Sequence, residues 1–569
     1  MGTEGGSLVR HWFTLWSPMR ARSLILAIAA GLVLADASIV TLALPDILRD
    51  LDTTVEGVAA VIGVYTVVLA AALLPAERVA RSAGPARAAG VGFVVFAAAS
   101  LACALAGSLG FLLVARGVQA LGGAAALVGV FALLVPVGDD RSRARSLWLG
   151  VAVLSTAVGP ALGGALTELF AWQAIFLAQV PFALAAAVLC LRAANDAWKA
   201  WTPSSYVLDR DRIRAGLALA LVSAALTAVL FLLVLLLVAG WNVSPLRAAV
   251  AVTVIPLGAL LGARVAGDAQ TKAAAGCLLA AAGTIALAFL PNASLWWTVI
   301  PQALAGVGMG LALPALAGEL LPERDARDAA ALLTLRHAGI ALALLALAPV
   351  VATQLDTATD RARERGVALV LDARLPPTAK ITLAPALLAG VDAAEPRAGL
   401  RKAVDRARAN FGGQDAVVFD QLAQRADDTL ITAVGEAFDE AFLITGVLAL
   451  LAALAITPLS PRPAWLAAGA AASLAAPVAF FVLHDRDAPE PVALRDPCAG
   501  RPLPSTGGLT GALQDRALEL LDTNACKYGS TREELVLALA DEGDARRFEQ
   551  RHGQNPRSIE NLLGGLLGG

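Results

Sequence analysis

The sequence predicts an all-α membrane protein, a bundle of six plus six spanning helices followed by one more, thirteen in all. Three observations carry that prediction. Of 569 residues, 58% are hydrophobic and 16% charged, and the mean hydropathy is +0.70, a balance foreign to soluble domains. Apolar runs of bilayer-spanning length recur along most of the chain. The two halves of the bundle also echo one another, which is how many transporter folds are built.

The runs lie at residues 23–44, 55–74, 88–106, 109–135, 147–166 and 175–191, then at 215–239, 248–265, 273–290, 295–316 and 329–351. Two more, at 441–456 and 464–483, follow a polar insert, and the first of these is the shortest of the set. Asp36 inside the first run, and that run's length, exclude a cleavable signal peptide. The expected organisation is a cytoplasmic N-terminus (1–22), a first six-helix half (23–191), a linker (192–214) and helices seven to eleven (215–352). An extracytoplasmic helical insert (353–440), helix twelve (441–457), helix thirteen (464–484) and an extracytoplasmic helical tail (485–569) complete it.

Basic residues set the orientation. Arg10, Arg20 and Arg22 precede the first run, Arg78, Arg81 and Arg87 follow the second, and Arg141, Arg143 and Arg145 follow the fourth. The alternate short loops carry none, so the N-terminus is expected in the cytoplasm and, after thirteen crossings, the C-terminus outside. Cysteines fit this arrangement. Cys103, Cys190 and Cys277 fall in apolar runs and read as packing residues, whereas Cys498 and Cys526 are the pair in the external tail, where a disulfide is expected. Ser530 and Glu533 have the spacing of a helix capping box.

The repeat is visible as Gln119-Ala-Leu-Gly-Gly, followed by Pro136 and Asp139-Asp140-Arg141, against Gln302-Ala-Leu-Ala-Gly, followed by Pro322 and Glu323-Arg324-Asp325. Ionisable groups at membrane depth are costly and mark functional sites. Asp36 in the first helix is the candidate proton carrier, and Arg116, with Gln119 one turn on, is a cation that cannot discharge and must find a partner. Arg336 and His337 in the eleventh helix are further proton or substrate candidates, His337 because imidazole titrates near neutrality. A structural reading competes for each: a carboxylate held permanently by an arginine, a guanidinium clamped to carbonyls, a packed histidine.

Gly159-Pro160-Ala161-Leu162-Gly163-Gly164 would break or weaken a soluble helix. In a membrane it permits close helix packing. This run and its neighbours resemble the drug:proton antiporters of the major facilitator superfamily, in the branch usually having fourteen helices. The D-x-x-x-V-x-x-A-L-P-like end of the first helix is met by Asp36, Val40, Ala43, Leu44 and Pro45. The R-x-x-Q-G-x-G-like run of the fourth is met by Arg116, Gln119 and Gly122, with Ala120 replacing a glycine, and G-P-x-x-G-G of the fifth by Gly159, Pro160, Gly163 and Gly164. The W-R-W-I-F-x-x-N-V-P-like start of the sixth appears as Trp172-Gln173-Ala174-Ile175-Phe176-Leu177-Ala178-Gln179-Val180-Pro181, and Gly240 to Leu246 looks like that branch's G-x-S-P-L loop. The resemblance implies an antiporter-like fifth helix packed within the first half, and coupling at Asp36 and Arg116.

The gating loop departs from the family pattern. Glu77 stands for glycine and Arg81 for aspartate, with Arg78 and Gly84 kept. The two additional helices of the fourteen-helix branch are also absent between the halves. The expected function is secondary transport in a bacterial cell membrane, as proton-coupled export of a hydrophobic or amphipathic small molecule. The alternative is a non-transporting scaffold or sensor that displays the insert and tail. The expected partners are small-molecule substrate, protons and the lipid bilayer, with a further partner for the external tail. No enzyme activity, nucleic acid, cofactor or metal site is expected.

Overall fold

The computed structural model describes residues 18–134, 159–192, 210–321, 325–375, 380, 396–409, 411–457, 463–487, 492–504 and 508–557. It divides into two compact units. The first comprises Met1–Val238, Val243–Ala352 and Asp439–Arg486, and the second Ala239–Asn242, Thr353–Phe438 and Asp487–Gly569. The external insert and tail expected from the sequence thus share one unit.

The first unit opens with α1 (Pro18–Thr41), the short α2 (Leu44–Asp50), α3 (Val55–Ala83), α4 (Pro85–Ala104) and α5 (Leu109–Leu134). Residues 159–169 form α6, and Gln173–Leu191 form α7. The turn between α3 and α4 is the single residue Gly84. It adopts φ 95°, closes α3 through its N–H to the Ala80 carbonyl, and hands over to Pro85 at the first position of α4. A side chain would be strained at that φ, and proline's missing N–H costs nothing at a helix start.

The second half contains α8 (Arg210–Leu235), which ends in a π-helical turn (Leu236–Gly240), then α9 (Pro245–Val252) and α10 (Val254–Gly262). Next come α11 (Ala269–Leu287), α12 (Leu295–Pro314) with its own π-helical turn (Ala315–Leu320), and α13 (Ala326–Asp372). α14 (Pro396–Arg408) belongs to the second unit, and α15 (Gly413–Ile456) and α16 (Pro463–Asp487) follow it. Where the sequence shows a polar insert beginning after 351, α13 runs on to Asp372, 47 residues in all, and α15, 44 residues long, likewise runs through the expected start of helix twelve. A change from apolar to polar side chains alters what surrounds a helix and leaves its backbone ladder intact. Even Pro349 inside α13 does not end it.

Ten helices among the described residues have the length and hydropathy to cross a membrane. Of the other three expected spans, the fifth lies partly outside the described residues. The ninth is α11, whose first turns hold Gln270 and Lys272, and the thirteenth is α16. The fold is nevertheless the expected all-α bundle, and the protein is a multi-pass membrane protein.

Glycines set the tightest seams. A Cβ on Gly122 would stand 2.6 Å from the Phe96 backbone nitrogen, and one on Gly92 2.6 Å from that of Ala126, so α4 and α5 touch backbone to backbone. In the second half Gly276 and Gly308 bring α11 and α12 together in the same way. One core cluster joins Leu69, Leu73 and Ala80 of α3 to Ala326, Ala329, Ala330 and Leu333 of α13, so the two halves share a core at that end.

In the second unit α17 (Gly508–Tyr528), α18 (Arg532–Ala540) and α19 (Glu542–His552) pack round Ala525, Leu535, Ala538 and Phe548. Cys498 is bonded to Cys526, with Cα atoms 5.1 Å apart. The cap of α18 is Thr531, whose side chain accepts the Glu534 N–H at 3.1 Å. This corrects the expected Ser530–Glu533 box by one residue. Ser530 turns back to the Ala525 carbonyl, while Glu533 is fully buried against Arg501 and Arg532.

Candidate functional site

α1, α3, α4, α5 and α7 enclose one polar cluster within the apolar bundle. Asp36 and Arg116 are fully buried and paired through Arg116 Nη1 and Asp36 Oδ2. The guanidinium also donates from Nη1 to Gln119 Oε1 at 2.6 Å and from Nε to the Val61 carbonyl at 3.1 Å. It lies over the Tyr65 ring at 4.2 Å and near Phe176 at 5.6 Å. Tyr65 is held by its own bond to the Val33 carbonyl. The spacing of Arg116 and Gln119 puts both on one face of α5, one turn apart, so a single helix supplies the cation and an amide to the same carboxylate.

The remaining partners come from α4 and α7. Gln179 Nε2 donates to Asp36 Oδ1 at 2.9 Å, and Gln119 Nε2 reaches the same oxygen at 3.5 Å. Gln119 Nε2 also donates to Ser100 Oγ at 2.8 Å and to Gln179 Oε1 at 3.4 Å. Arg116 Nη2 is buried without a hydrogen-bond partner among the described residues. Buried charge is tolerable because each group meets the other and nearly every polar atom is bonded.

The glycine motif adjoins this cluster. A Cβ on Gly163 would lie 2.2 Å from the Ile39 carbonyl oxygen, and one on Gly159 2.0 Å from Ser38 Oγ. Both contacts are with α1, within about a turn of Asp36. Gly164 faces the other half, where a Cβ would stand 2.4 Å from Ala249 Cβ and 2.9 Å from the Pro245 carbonyl of α9. At the end of the same helix, Glu168 Oε2 accepts the Leu246 N–H of α9 at 3.0 Å. Pro160 is buried in α6. Elsewhere Thr334 Oγ1 of α13 donates to the Ala70 carbonyl of α3 at 3.2 Å, a further contact between the halves.

Other candidates lie apart from the carboxylate. His337 Nδ1 faces the Leu333 carbonyl of its own helix at 2.8 Å, and Arg336 beside it is half-buried. In the gating stretch, Glu77 is buried and pairs with Arg81 at 2.6 Å on the same helix, Arg78 is exposed, and Gly84 makes the turn already described. The pair replaces an acid in the loop with an acid one turn inside α3. Sequence reasoning did not single out Ser100, Tyr65 or Gln179. Gln179 had a signal: it occupies the asparagine position of the N-V-P-like run in an otherwise apolar helix.

A polytopic helical bundle with echoing halves and one buried, hydrogen-bonded ion pair defines a membrane transporter fold. The family model of the Major Facilitator Superfamily matches residues 26–360, and the chain belongs to that family, whose members transport their substrates rather than transform them. It is 35% identical over 170 residues to the multidrug resistance protein Stp of Mycobacterium tuberculosis, covering 29% of this chain and 32% of that one. It is 32% identical over 203 residues to the tetracenomycin C resistance and export protein of Streptomyces glaucescens, covering 35% and 38%. The chain thus spans about a third of the length of these relatives. A bacterial homologue of the human lysosomal transporter Spinster, solved inward-facing and unoccupied, shares the fold at TM-score 0.53 and 15% identity, covering 78% of this chain and 98% of that one.

Proposed function

We propose that the protein exports hydrophobic or amphipathic small molecules across a bacterial inner membrane in exchange for protons, with Asp36 as the proton carrier. The observation that carries this reading is the fully buried Asp36–Arg116 pair. Protonating Asp36 removes the anion and strands a guanidinium that cannot discharge. Breaking a buried pair on one side costs on the order of 3–5 kcal/mol. Water or substrate can meet that charge only if the helices around it part, so proton binding favours an opened state. A membrane potential supplies about 2.3 kcal/mol per 100 mV per charge, the right order to drive such a cycle.

The names of the relatives, multidrug resistance and antibiotic export proteins, support an export direction. The single deep acid and the largely aliphatic surroundings suit an uncharged or weakly cationic substrate better than a dication. In this reading the N-terminus is cytoplasmic, and the second unit lies outside with its disulfide in an oxidising compartment. Glu168–Leu246 and Thr334–Ala70 are closures between the halves that must open alternately.

The test is transport of the lipophilic dye Hoechst 33342 into inverted vesicles under an imposed pH gradient, the direction that corresponds to export from the cell. Asp36→Asn is expected to insert normally and to lose gradient-driven export. Full export by that variant would sink the proton-carrier role. A wild-type protein that moves neither the dye nor any compound to which its deletion sensitises cells would favour the scaffold reading.

A further inference from the structure

We propose that Gln179 reads the protonation state of Asp36 by turning over its side-chain amide, and so transmits that state from α1 to the seam between α5 and α7. The inference rests on the proton-carrier reading above. Arg116 Nη1 occupies Asp36 Oδ2, so an arriving proton goes to Oδ1. In the charged state Oδ1 accepts from Gln179 Nε2 at 2.9 Å and from Gln119 Nε2 at 3.5 Å. Once protonated, Oδ1 becomes a donor facing two donors. One amide must then present its oxygen instead.

The two glutamines differ in their freedom to do so. Gln119 is fixed at both ends: its Oε1 accepts from Arg116 at 2.6 Å and its Nε2 donates to Ser100 Oγ at 2.8 Å. Turning it would set an NH2 group against a guanidinium. Gln179 Oε1, by contrast, accepts only the 3.4 Å contact from Gln119 among the hydrogen bonds of the cluster. A half-turn of the Gln179 amide keeps its shape and brings Oε1 to the Asp36 O–H, an exchange open to an amide and to no apolar side chain. It also sets Gln179 Nε2 against Gln119 Nε2, so the former hydrogen bond between α5 and α7 becomes a repulsion. The proton comes from bulk water and no other bond is made or broken.

The titratable groups around Asp36 do not substitute for this step. Arg116 on α5 cannot accept a proton. Tyr65 on α3 is committed to the Val33 carbonyl at 2.9 Å, and Cys103 on α4 lies against Gln119 Oε1 at 3.8 Å. The residue also distinguishes this chain from the family pattern, in which the position carries the shorter asparagine.

The experiment uses the full chain in proteoliposomes with Hoechst 33342 as probe. It compares wild type, Asp36→Asn, Gln179→Met, Gln179→Leu and Gln179→Asn. Gradient-driven export and dye exchange at equal pH on both sides are both measured. The apolar variants are expected to lose about tenfold in driven export and to move the pH of half-maximal rate by about one unit, the scale of one hydrogen bond to a charged group. Exchange at equal pH is expected to fall several-fold less than driven export in the apolar variants, and Gln179→Asn keeps most of the driven rate, because an amide still faces Asp36. A Met or Leu variant with the wild-type rate and pH profile, beside an inactive Asp36→Asn, would overturn the role of Gln179 and leave Asp36 as carrier. Parallel loss of driven export and exchange would make Gln179 merely structural. Full export by Asp36→Asn would remove the reading on which both depend.

Discussion

Replacing Gly163 by alanine adds one carbon, and the structure fixes where it goes. The new Cβ would lie 2.2 Å from the Ile39 carbonyl oxygen, 3.0 Å from its carbon and 3.3 Å from its Cα. These are backbone atoms of α1 and no rotamer change relieves them. A carbon–oxygen contact relaxes at roughly 3.3–3.6 Å, so α1 and α6 must separate by about 1 Å or slightly more. Overpacking of this kind costs about 1–3 kcal/mol. Against that, alanine gains about 0.5–1 kcal/mol over glycine within a helix. The net loss of stability is therefore small, between zero and about 2.5 kcal/mol by the difference of those ranges.

Function responds more strongly than stability. Ile39 follows Asp36 by one helical turn, so the displacement is carried to the Asp36–Arg116 pair, whose contacts do not survive a shift of about 1 Å. The control is Gly63→Ala in α3, where a Cβ meets nothing within 4 Å, and which is expected to be neutral or stabilising by up to about 1 kcal/mol. Thermal unfolding in detergent and gradient-driven dye export are measured for both. Gly163→Ala should melt near wild type yet lose at least about tenfold in export, while Gly63→Ala keeps it. Equal export by the two variants would refute the claim that this contact sets the position of Asp36.

Three further predictions concern the second unit, each measured on the full chain. Burial first, and then the charge of Glu534, hold the Glu364 carboxyl above its usual range; the folded state therefore keeps this proton more tightly than the unfolded one, and its contribution is complete below about pH 4.5 and is lost as pH rises through the folded value. Glu364→Gln should accordingly raise the unfolding temperature of this unit at pH 7.5 and leave it unchanged at pH 4, the reverse pattern contradicting the sign. With Cys498 and Cys526 bonded across 28 residues, and Cys103, Cys190 and Cys277 free, alkylation of denatured protein without reductant should label three thiols; five labelled thiols would exclude the bond, whose loss is expected to cost about 3 kcal/mol. Arg532 is fully buried between Asp372 at 2.7 Å and Glu533 at 3.1 Å, so Arg532→Met should destabilise this unit by about 3 kcal/mol. Adding Glu533→Leu should recover part of that loss, and a strictly additive double variant would show that the two groups do not depend on each other.

Much of the bundle was legible because lipid constrains sequence so heavily. Runs of Ala, Leu and Val could be nothing but membrane-length helices, and Asp36 and Arg116 stood out because their charge has no cheap place there. The partners of that charge were less legible. Gln179 lies 143 residues from Asp36, and Ser100 lies 19 from Gln119. A single polar side chain in an apolar run says nothing about which distant helix it faces. Composition also did not show that the helices run on: the polarity changes after residues 351 and 440 fall inside α13 and α15, because hydropathy reports surroundings and a helix ends only where its backbone bonds do. At Glu77, the departure from the family pattern read as a damaged loop. Its buried contact with Arg81, one turn away on the same helix, required coordinates.

The internal repeat gains meaning from where it fails. Gln119 and Gln302 correspond at an offset of 183 residues, which sets Val299 opposite Arg116 and Leu219 opposite Asp36. Gln302 is as buried as Gln119, yet its Nε2 turns to Thr298 Oγ1 of its own helix at 2.8 Å and bridges to no ion pair. The second half shares the close backbone seams of the first: a Cβ on Gly306 would stand 2.2 Å from the Ile255 carbonyl oxygen, and one on Gly310 2.1 Å from that of Ala259. On the proposed mechanism, a change of protonation therefore rearranges hydrogen bonds in the first half alone. The hydrogen bonds of Asp36 and Arg116 all lie within the first half among the described residues, so in that mechanism the second half is the body against which α1, α5, α6 and α7 move. Gly164, set against Ala249 and Pro245 of α9, is then one point, with the Glu168–Leu246 bond beside it, at which the first half's rearrangement meets that body.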